Sequence, residues 1–354
     1  MTTIDIKKLD LSSRRLGLGN FQASSYNVLH GLNTTTIPPL VPTNTDSQGM
    51  VFFTRPDMNL SYDNVILHRN LRFLADPRED SMGNYLRCLL NPDWHDIQND
   101  KHRSSVINDK LAFIPIMSNL LLSMSEPPDF VADLYTSPSG FNKEEISFIE
   151  SRPNIYNTYD LNLTFRNMEG DPITAFIAIW VEYATRVYEG TMLPFPEKIL
   201  NDERDYMTRC YRITLDRSGR YLQDIYACGG MFPYTIPYGA KMGYNKKDGY
   251  NSAANEIQIA FRCEGAMYND PILLSEFNKT VVMFNPEMAV KKRGSLIKLD
   301  GVLNNIELKK AFSSFCYPWL NETTMELEWW TEKSLYNATI KLLKLDIVKP
   351  GATK

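Results

Sequence analysis

Two different hydrophobic periods stand back to back in the middle of the chain. From Tyr159 to Arg166, apolar Tyr159, Leu161, Leu163 and Phe165 alternate with Asp160, Asn162, Thr164 and Arg166. That period of two puts one side of a strand in a core and the other in water. After a short turn, Ile173, Phe176, Ile177, Trp180, Val181, Ala184, Val187 and Tyr188 recur at helical spacing, the stripe of an amphipathic helix. Asp171 can cap this helix, Pro172 suits its first turn and Gly190 can end it, so the spacing predicts a helix over 171–189. Its apolar stripe needs a sheet to pack on.

The next segments supply more of that sheet. "CYRITLDRSGRYLQDIYA" reads as a hairpin whose Asp216-Arg217-Ser218-Gly219 turn places Gly219 in a left-handed conformation. "NEIQIAFRC" sets Ile257, Ile259, Phe261 and Cys263 against Gln258, Ala260 and Arg262. The expected core is Leu161, Leu163, Phe165, Phe176, Ile177, Trp180, Val181, Ile257, Ile259 and Phe261. Pro271 is expected to stop regular pairing after this strand. The following stretch, "GAMYNDPILLSEFN", then becomes a connector carrying Met267, Tyr268, Ile272, Leu273, Leu274 and Phe277. That is more apolar surface than a solvated loop tolerates, so these six are expected at a subunit interface; the alternative is that the last four are core. Near the end, "TTMELEWW" alternates as a strand, and "ATIKLLKLDIV" is expected to pair with it.

With 354 residues the chain exceeds what one core usually serves. Four parts are expected. Residues 1–48, rich in Ser, Thr, Asn, Gly and Pro and without a period, form an extended arm that orders only in an assembly. Residues 49–153 form a mixed first domain or insertion, with a strand in "MVFFTRP", a helix in "SMGNYLRCLL" and buried irregular structure or strand in "DKLAFIPIMSNLLLSM". Residues 154–284 carry the β-barrel or sandwich with its helix, and 285–354 a C-terminal β extension.

Composition removes function classes rather than adding them. A formal net charge of −4, with 43% hydrophobic and 23% charged residues, argues against a dedicated nucleic-acid binder. The one compact basic run, Lys291-Lys292-Arg293, reads as a solvated loop. No signal-type apolar core opens the chain and no stretch approaches the ~20 apolar residues of a membrane span, so assembly in the cytoplasm is expected. Five cysteines, odd in number and far apart, suggest no disulfide framework and no metal site.

Candidate chemistry is equally sparse. "GLGNFQ" at 17–22 starts like a dinucleotide fingerprint, but Gln22 stands where a glycine is needed and no apolar strand precedes it. His95 and His102, among Asp93, Asp96 and Asp100, lack zinc spacing and read as a surface polar cluster. The acids from Asp202 to Asp205 are too close in sequence to flank a glycosidic bond, and read as a turn. Cys228 before two glycines reads as a small buried residue, not a nucleophile. Trp319, Trp329 and Trp330 could stack on sugars, but fit core or subunit interface better. No catalytic, cofactor-binding or metal-ligating residue is expected, and the chain reads as a non-enzyme. A sugar-binding module or an enzyme of unknown type is kept as the remote alternative.

The order of pieces from Tyr159 to Asn278 resembles the tail-tube proteins of contractile-tailed bacteriophages. The resemblance rests on "LTFRNMEGDPITAFIAIWVEYATRVYEG", "RCYRITLDRSGRYLQDIYACGGMFP" and "FRCEGAMYNDPILLSEFN", with "FFTRPDMNLS" upstream. It implies a β-rich α+β fold: a β-sandwich or barrel with one amphipathic helix packed on it, plus N- and C-terminal extensions. It further implies a virion structural protein in a ring of six, with a lumen for transient DNA passage and contacts to adjacent tube rings, sheath or baseplate. A main tube subunit is a single compact domain, and the additions here point to the baseplate-proximal, tube-initiating ring. The alternative is a tail terminator, a neck component or another baseplate adaptor.

Overall fold

The computed structural model of the protein describes residues 48–92, 103–104, 106–151, 157–216, 218–242, 246, 256–299, 312 and 315–343. The chain divides into two compact units, Met1–Gln48 with Asp216–Gly219, and Gly49–Leu215 with Arg220–Lys354. Of the first unit only Gln48, Asp216, Ser218 and Gly219 are described, so the expected arm lies outside the described residues. In the turn, Gly219 takes φ +69°, the left-handed conformation read from the sequence. Its N–H donates to the Asp216 carbonyl at 2.8 Å, and the Ser218 hydroxyl donates to the Asp216 carboxylate.

The second unit contains strands β1 (Gln48–Phe53), β2 (Leu121–Met124), β3 (Leu134–Thr136), β4 (Ser147–Ile149), β5 (Thr158–Arg166), β6 (Cys210–Leu215), β7 (Leu222–Pro233), β8 (Glu256–Tyr268), β9 (Leu296–Lys298), β10 (Tyr317–Leu320) and β11 (Leu327–Glu332). Among the described residues its helices are α1 (Tyr62–Ile66), α2 (Met82–Leu90), α3 (Pro115–Leu120), α4 (Pro172–Tyr188), α5 (Pro196–Leu200), α6 (Tyr238–Lys241), α7 (Pro271–Phe284) and α8 (Lys333–Leu343). Six strands form one sheet in the order β1-β6-β7-β8-β5-β2, and β10-β11-β9 form a smaller one. The β3–β4 hairpin stands by itself as a two-stranded ribbon. The protein is thus a β-rich α+β fold.

The large sheet is covered on one face by α4. Leu161, Leu163 and Phe165 of β5 and Ile259 and Phe261 of β8 meet Phe176, Ile177 and Trp180 with no exposed surface. The Trp180 indole N–H donates to the Tyr206 carbonyl at 2.8 Å, which satisfies the one polar atom that the burial strands. Asp171 stands at the N-cap of α4, yet its side chain makes no capping bond; it takes a left-handed conformation and accepts from the Asn167 amide at 2.7 Å. Tyr188, at the end of the expected stripe, is 91% exposed.

The opposite face departs from the sequence reading. β8 does not stop at Cys263: Gly265, at φ +66°, bends the strand and lets it continue to Tyr268. The expected connector is then a 14-residue helix, α7, with Asp270 accepting from the Ile272 N–H at 2.9 Å and Pro271 in its first turn. Leu273, Leu274, Phe277, Val281 and Phe284 lie on one side of it and pack on Tyr211 and Ile213 of β6 and Ile225 and Ala227 of β7. The sheet therefore carries two helices on opposite faces rather than one. The C-terminal part also differs: "SLYNATIKLL" is helical in α8, and β9, not the segment after residue 337, pairs with β11.

Candidate assembly surfaces

Where α7 and the small sheet end, the second face of β5 and β8 is wet. Its cross-strand partners are Thr158 with Glu264, Asp160 with Arg262, Asn162 with Ala260, Thr164 with Gln258 and Arg166 with Glu256. Asp160 and Arg262 form an ion pair at 3.0 Å, and Arg204 reaches Glu264 at 2.5 Å. Every charge on this face thus has an opposite charge beside it, a surface that attracts neither a polyanion nor a polycation strongly.

Among the described residues β1 pairs only with β6 and β2 only with β5, so both ends of the large sheet are free edges there. The two edges approach one another. Just past β1, the Arg55 N–H donates to the Ala112 carbonyl and the Ile114 N–H to the Phe53 carbonyl, so residues 112–114 line up beside that end of the strand. The chain then passes through α3 into β2 on the far edge. Between them lies a groove of about 670 Å³ walled by Gly49–Phe52 on one side and Leu121–Met124 on the other, with Arg212, Glu126 and Trp329 at its rim. The sheet is accordingly curled into a half-barrel whose two edges flank this groove as an open seam. An open seam presents unpaired N–H and C=O groups that template another strand.

The β3–β4 ribbon is the third surface. Leu134 faces Ile149 on one side and Tyr135 faces Phe148 on the other, the two rings 4.9 Å apart. Leu134 and Ile149 are 65% and 68% exposed, and Phe141 at the tip is fully exposed. A lone two-stranded hairpin is marginal in water, and apolar side chains on both its sides call for a partner. It is anchored at its base where Phe130 packs edge-on against Tyr268, 4.9 Å between centroids, and the Tyr268 hydroxyl donates to the Pro128 carbonyl at 2.7 Å.

The sequence-derived interface residues fall into two sets. Leu273, Leu274 and Phe277 fill the chain's own core, Phe277 stacking on Phe113 at 4.9 Å and meeting Phe52 and Tyr211 edge-on. Helix formation turned them inward, which corrects their expected role. Ile272 is 52% exposed on the outer side of α7, while Met267 and Tyr268 are half-buried. The core residues stand inside, with Val181 at the margin.

The residues weighed for chemistry are engaged structurally. Asp205 is buried and accepts from the Tyr183 hydroxyl, and its burial raises its pKa to about 6. Cys228 is enclosed beside Cys210, whose N–H donates to its sulfur at 3.2 Å. Trp319 and Trp330 hold the Arg293 guanidinium between them at 3.8 and 4.8 Å, and Trp329 leans on Phe52. The Gly17–Gln22 motif, Asp93, His95, Asp96, Asp100 and His102 lie outside the described residues. Among the described residues there is no cluster of three metal-ligating side chains, and no helix is long and apolar enough to cross a membrane. The ribbon and the seam were missed from sequence. Alternation in "LYT" and "SFI" is too short to register, and a seam is a product of topology alone.

A family model described as "Putative phage tail tube protein" matches residues 4–346. Among solved structures, the chain is similar to the anti-feeding prophage cap (AFP tube terminating cap), with 10% identity over 45% of this chain and 82% of that one and a TM-score of 0.27. It is also similar to the sheath/tube terminator, in the extended state, of the extracellular contractile injection system PVC, with 9% identity over 45% and 88% and a TM-score of 0.25. No curated protein matches.

Proposed function

Because the chain belongs to the phage tail tube protein family, we propose that it is a virion structural subunit that closes into a ring of the tail tube, with a lumen through which DNA passes. The observation that carries this reading is a six-stranded antiparallel sheet buried under α4 on one face, wet and charge-paired over β5 and β8 on the other beyond α7, and open at both edges among the described residues. The wet face lines the lumen in this proposal. Balanced charge suits transit, because a basic channel would hold DNA by its phosphates. The open edges face neighbouring copies, which makes the contact heterologous and ring-forming. The exposed β3–β4 ribbon reaches a flanking ring, and six copies are the stoichiometry implied by the resemblance.

The baseplate-proximal position belongs to the proposal too. It rests on the mass added to the large sheet, namely the β9–β11 sheet and α8, as a ring that stacks on its own kind at one side and on a different protein at the other would carry. Gold labelling on intact tails reads the position: label at the baseplate supports it, and label at the neck makes the chain a terminator instead. Mass photometry of the purified chain tests ring formation. Species at a fixed multiple of 40.7 kDa are expected; a monomer at every concentration would overturn it.

A further inference from the structure

Among the described residues the seam leaves the edges of β1 and β2 without a partner strand, and the chain carries a strand-like segment outside them. β1 offers Gly49–Phe52 and β2 offers Leu121–Met124, four residues on each wall. One end of the groove is limited by residues 112–114 against Phe53–Arg55, so a guest of about five residues fits. Met50, Val51, Leu121 and Met124 are half-buried and Leu122 is 45% exposed, which leaves an apolar floor short of cover.

Forty-seven residues precede β1 and end at the wall of this groove. At their far end "TIDIK", Thr3–Lys7, alternates Ile4 and Ile6 with Thr3, Asp5 and Lys7, a one-sided apolar pattern of strand length that "KLDLS", Lys8–Ser12, repeats; of the two, Thr3–Lys7 lies farther from β1 and so has the longer reach. Asp5 and Lys7 also match the seam, whose rim carries one cation, Arg212, and one anion, Glu126. A stretch of the length of residues 8–47, at roughly 3.3–3.6 Å per residue when extended, is long enough to reach a neighbouring copy. The nearest segment cannot serve: Pro38, Pro39 and Pro42 lack the N–H groups that a strand beside β1 must donate.

We propose that residues 3–7 of one copy insert as a strand between β1 and β2 of the next, completing its barrel in trans. This rests on the ring reading above. In cis the same strand would use up both edges and leave none for a neighbour. Ile4 and Ile6 point to the apolar floor and Asp5 to the rim, so the main chain supplies affinity and the two isoleucines set the register.

Crosslinking of the full-length chain decides it. One preparation carries Ile6→Cys and a second Leu122→Cys, both with Cys316→Ser, the half-buried cysteine; the other four native cysteines are buried. The two are mixed, assembled and treated with a short bismaleimide. A mixed dimer on denaturing gels, confined to the assembled fraction, is expected. Removal of residues 1–8 should raise the concentration needed for assembly at least tenfold with the monomer's far-ultraviolet spectrum unchanged. Rings that form without the mixed dimer, or a crosslink found only within a double-cysteine chain, overturn the strand exchange and leave the ring reading intact. A chain that never assembles removes both.

Discussion

The Tyr183 hydroxyl donates a hydrogen bond to the Asp205 carboxylate, tying the middle of α4 to the loop that leads into β6. The Asn59 N–H donates to the same phenol oxygen at 3.1 Å, so three distant segments meet at one hydroxyl. Asp57 also faces the carboxylate, with Lys198 3.6 Å from Asp57. Burial is the main cause of the raised Asp205 pKa of about 6, helped by the Asp57 charge and opposed by the Tyr183 bond.

A carboxyl whose pKa is raised by folding binds its proton more tightly in the native state. Its contribution to stability is therefore fullest below the ordinary value of 3.8, declines as pH rises through the window up to about 6, and is flat above it. The whole change is of the order of 3 kcal/mol. Urea unfolding from pH 4 to pH 7 should show this decline in the wild type and a flatter profile in Asp205→Asn. An identical profile in both would remove the assignment to Asp205.

Trp180 is fully buried under α4, whereas Tyr188, two turns on, is 91% exposed. Trp180→Ala should cost about 3–5 kcal/mol, and Tyr188→Ala under about 0.5 kcal/mol. Comparable losses for the two in thermal unfolding would contradict the placement of the helix.

Phe277 sits among Phe52, Phe113 and Tyr211, so Phe277→Ala should cost about 3–5 kcal/mol and Phe277→Glu should unfold the monomer. Ile272→Glu, one turn earlier and on the outer side, should leave the melting temperature within a few degrees. Circular dichroism melts separate the two outcomes.

Arg293 lies between the indoles of Trp319 and Trp330 and donates to the Met288 carbonyl at 2.8 Å. Arg293→Ala should cost about 1–2 kcal/mol beyond a surface substitution. Arg293→Lys keeps the charge without the planar stack and should recover only part of it, as read by denaturant midpoint.

Much of the sheet was legible because its periods are clean. Leu161, Leu163 and Phe165 alternate without interruption, and the Gly219 turn has the residue its backbone demands. Asp171-Pro172 before an apolar stripe announced α4, and Asp270-Pro271 announces α7 by the same signature. There the proline was read as the end of a strand, since Gly265 hid the continuation of β8 and the hydrophobic pattern alone does not choose between connector and helix. In the small sheet the strand in "TTMELEWW" was legible but its partners were not: β11 buries residues on both faces, Leu327 into the core and Glu328 among Asn321, Lys298 and Trp330, so its pattern does not tell which segments lie beside it. The seam depends on which strands end at the sheet's edges, which no local pattern encodes.

The central claim, a ring subunit whose β5–β8 face lines a channel, is tested most directly by electron cryomicroscopy of the assembled full-length chain. The account predicts closed rings with an open centre, Asp160 and Arg262 at the channel wall and the seam of each copy against its neighbour. Rings with those two residues on the outer circumference, or a chain that yields only closed monomers, would contradict it.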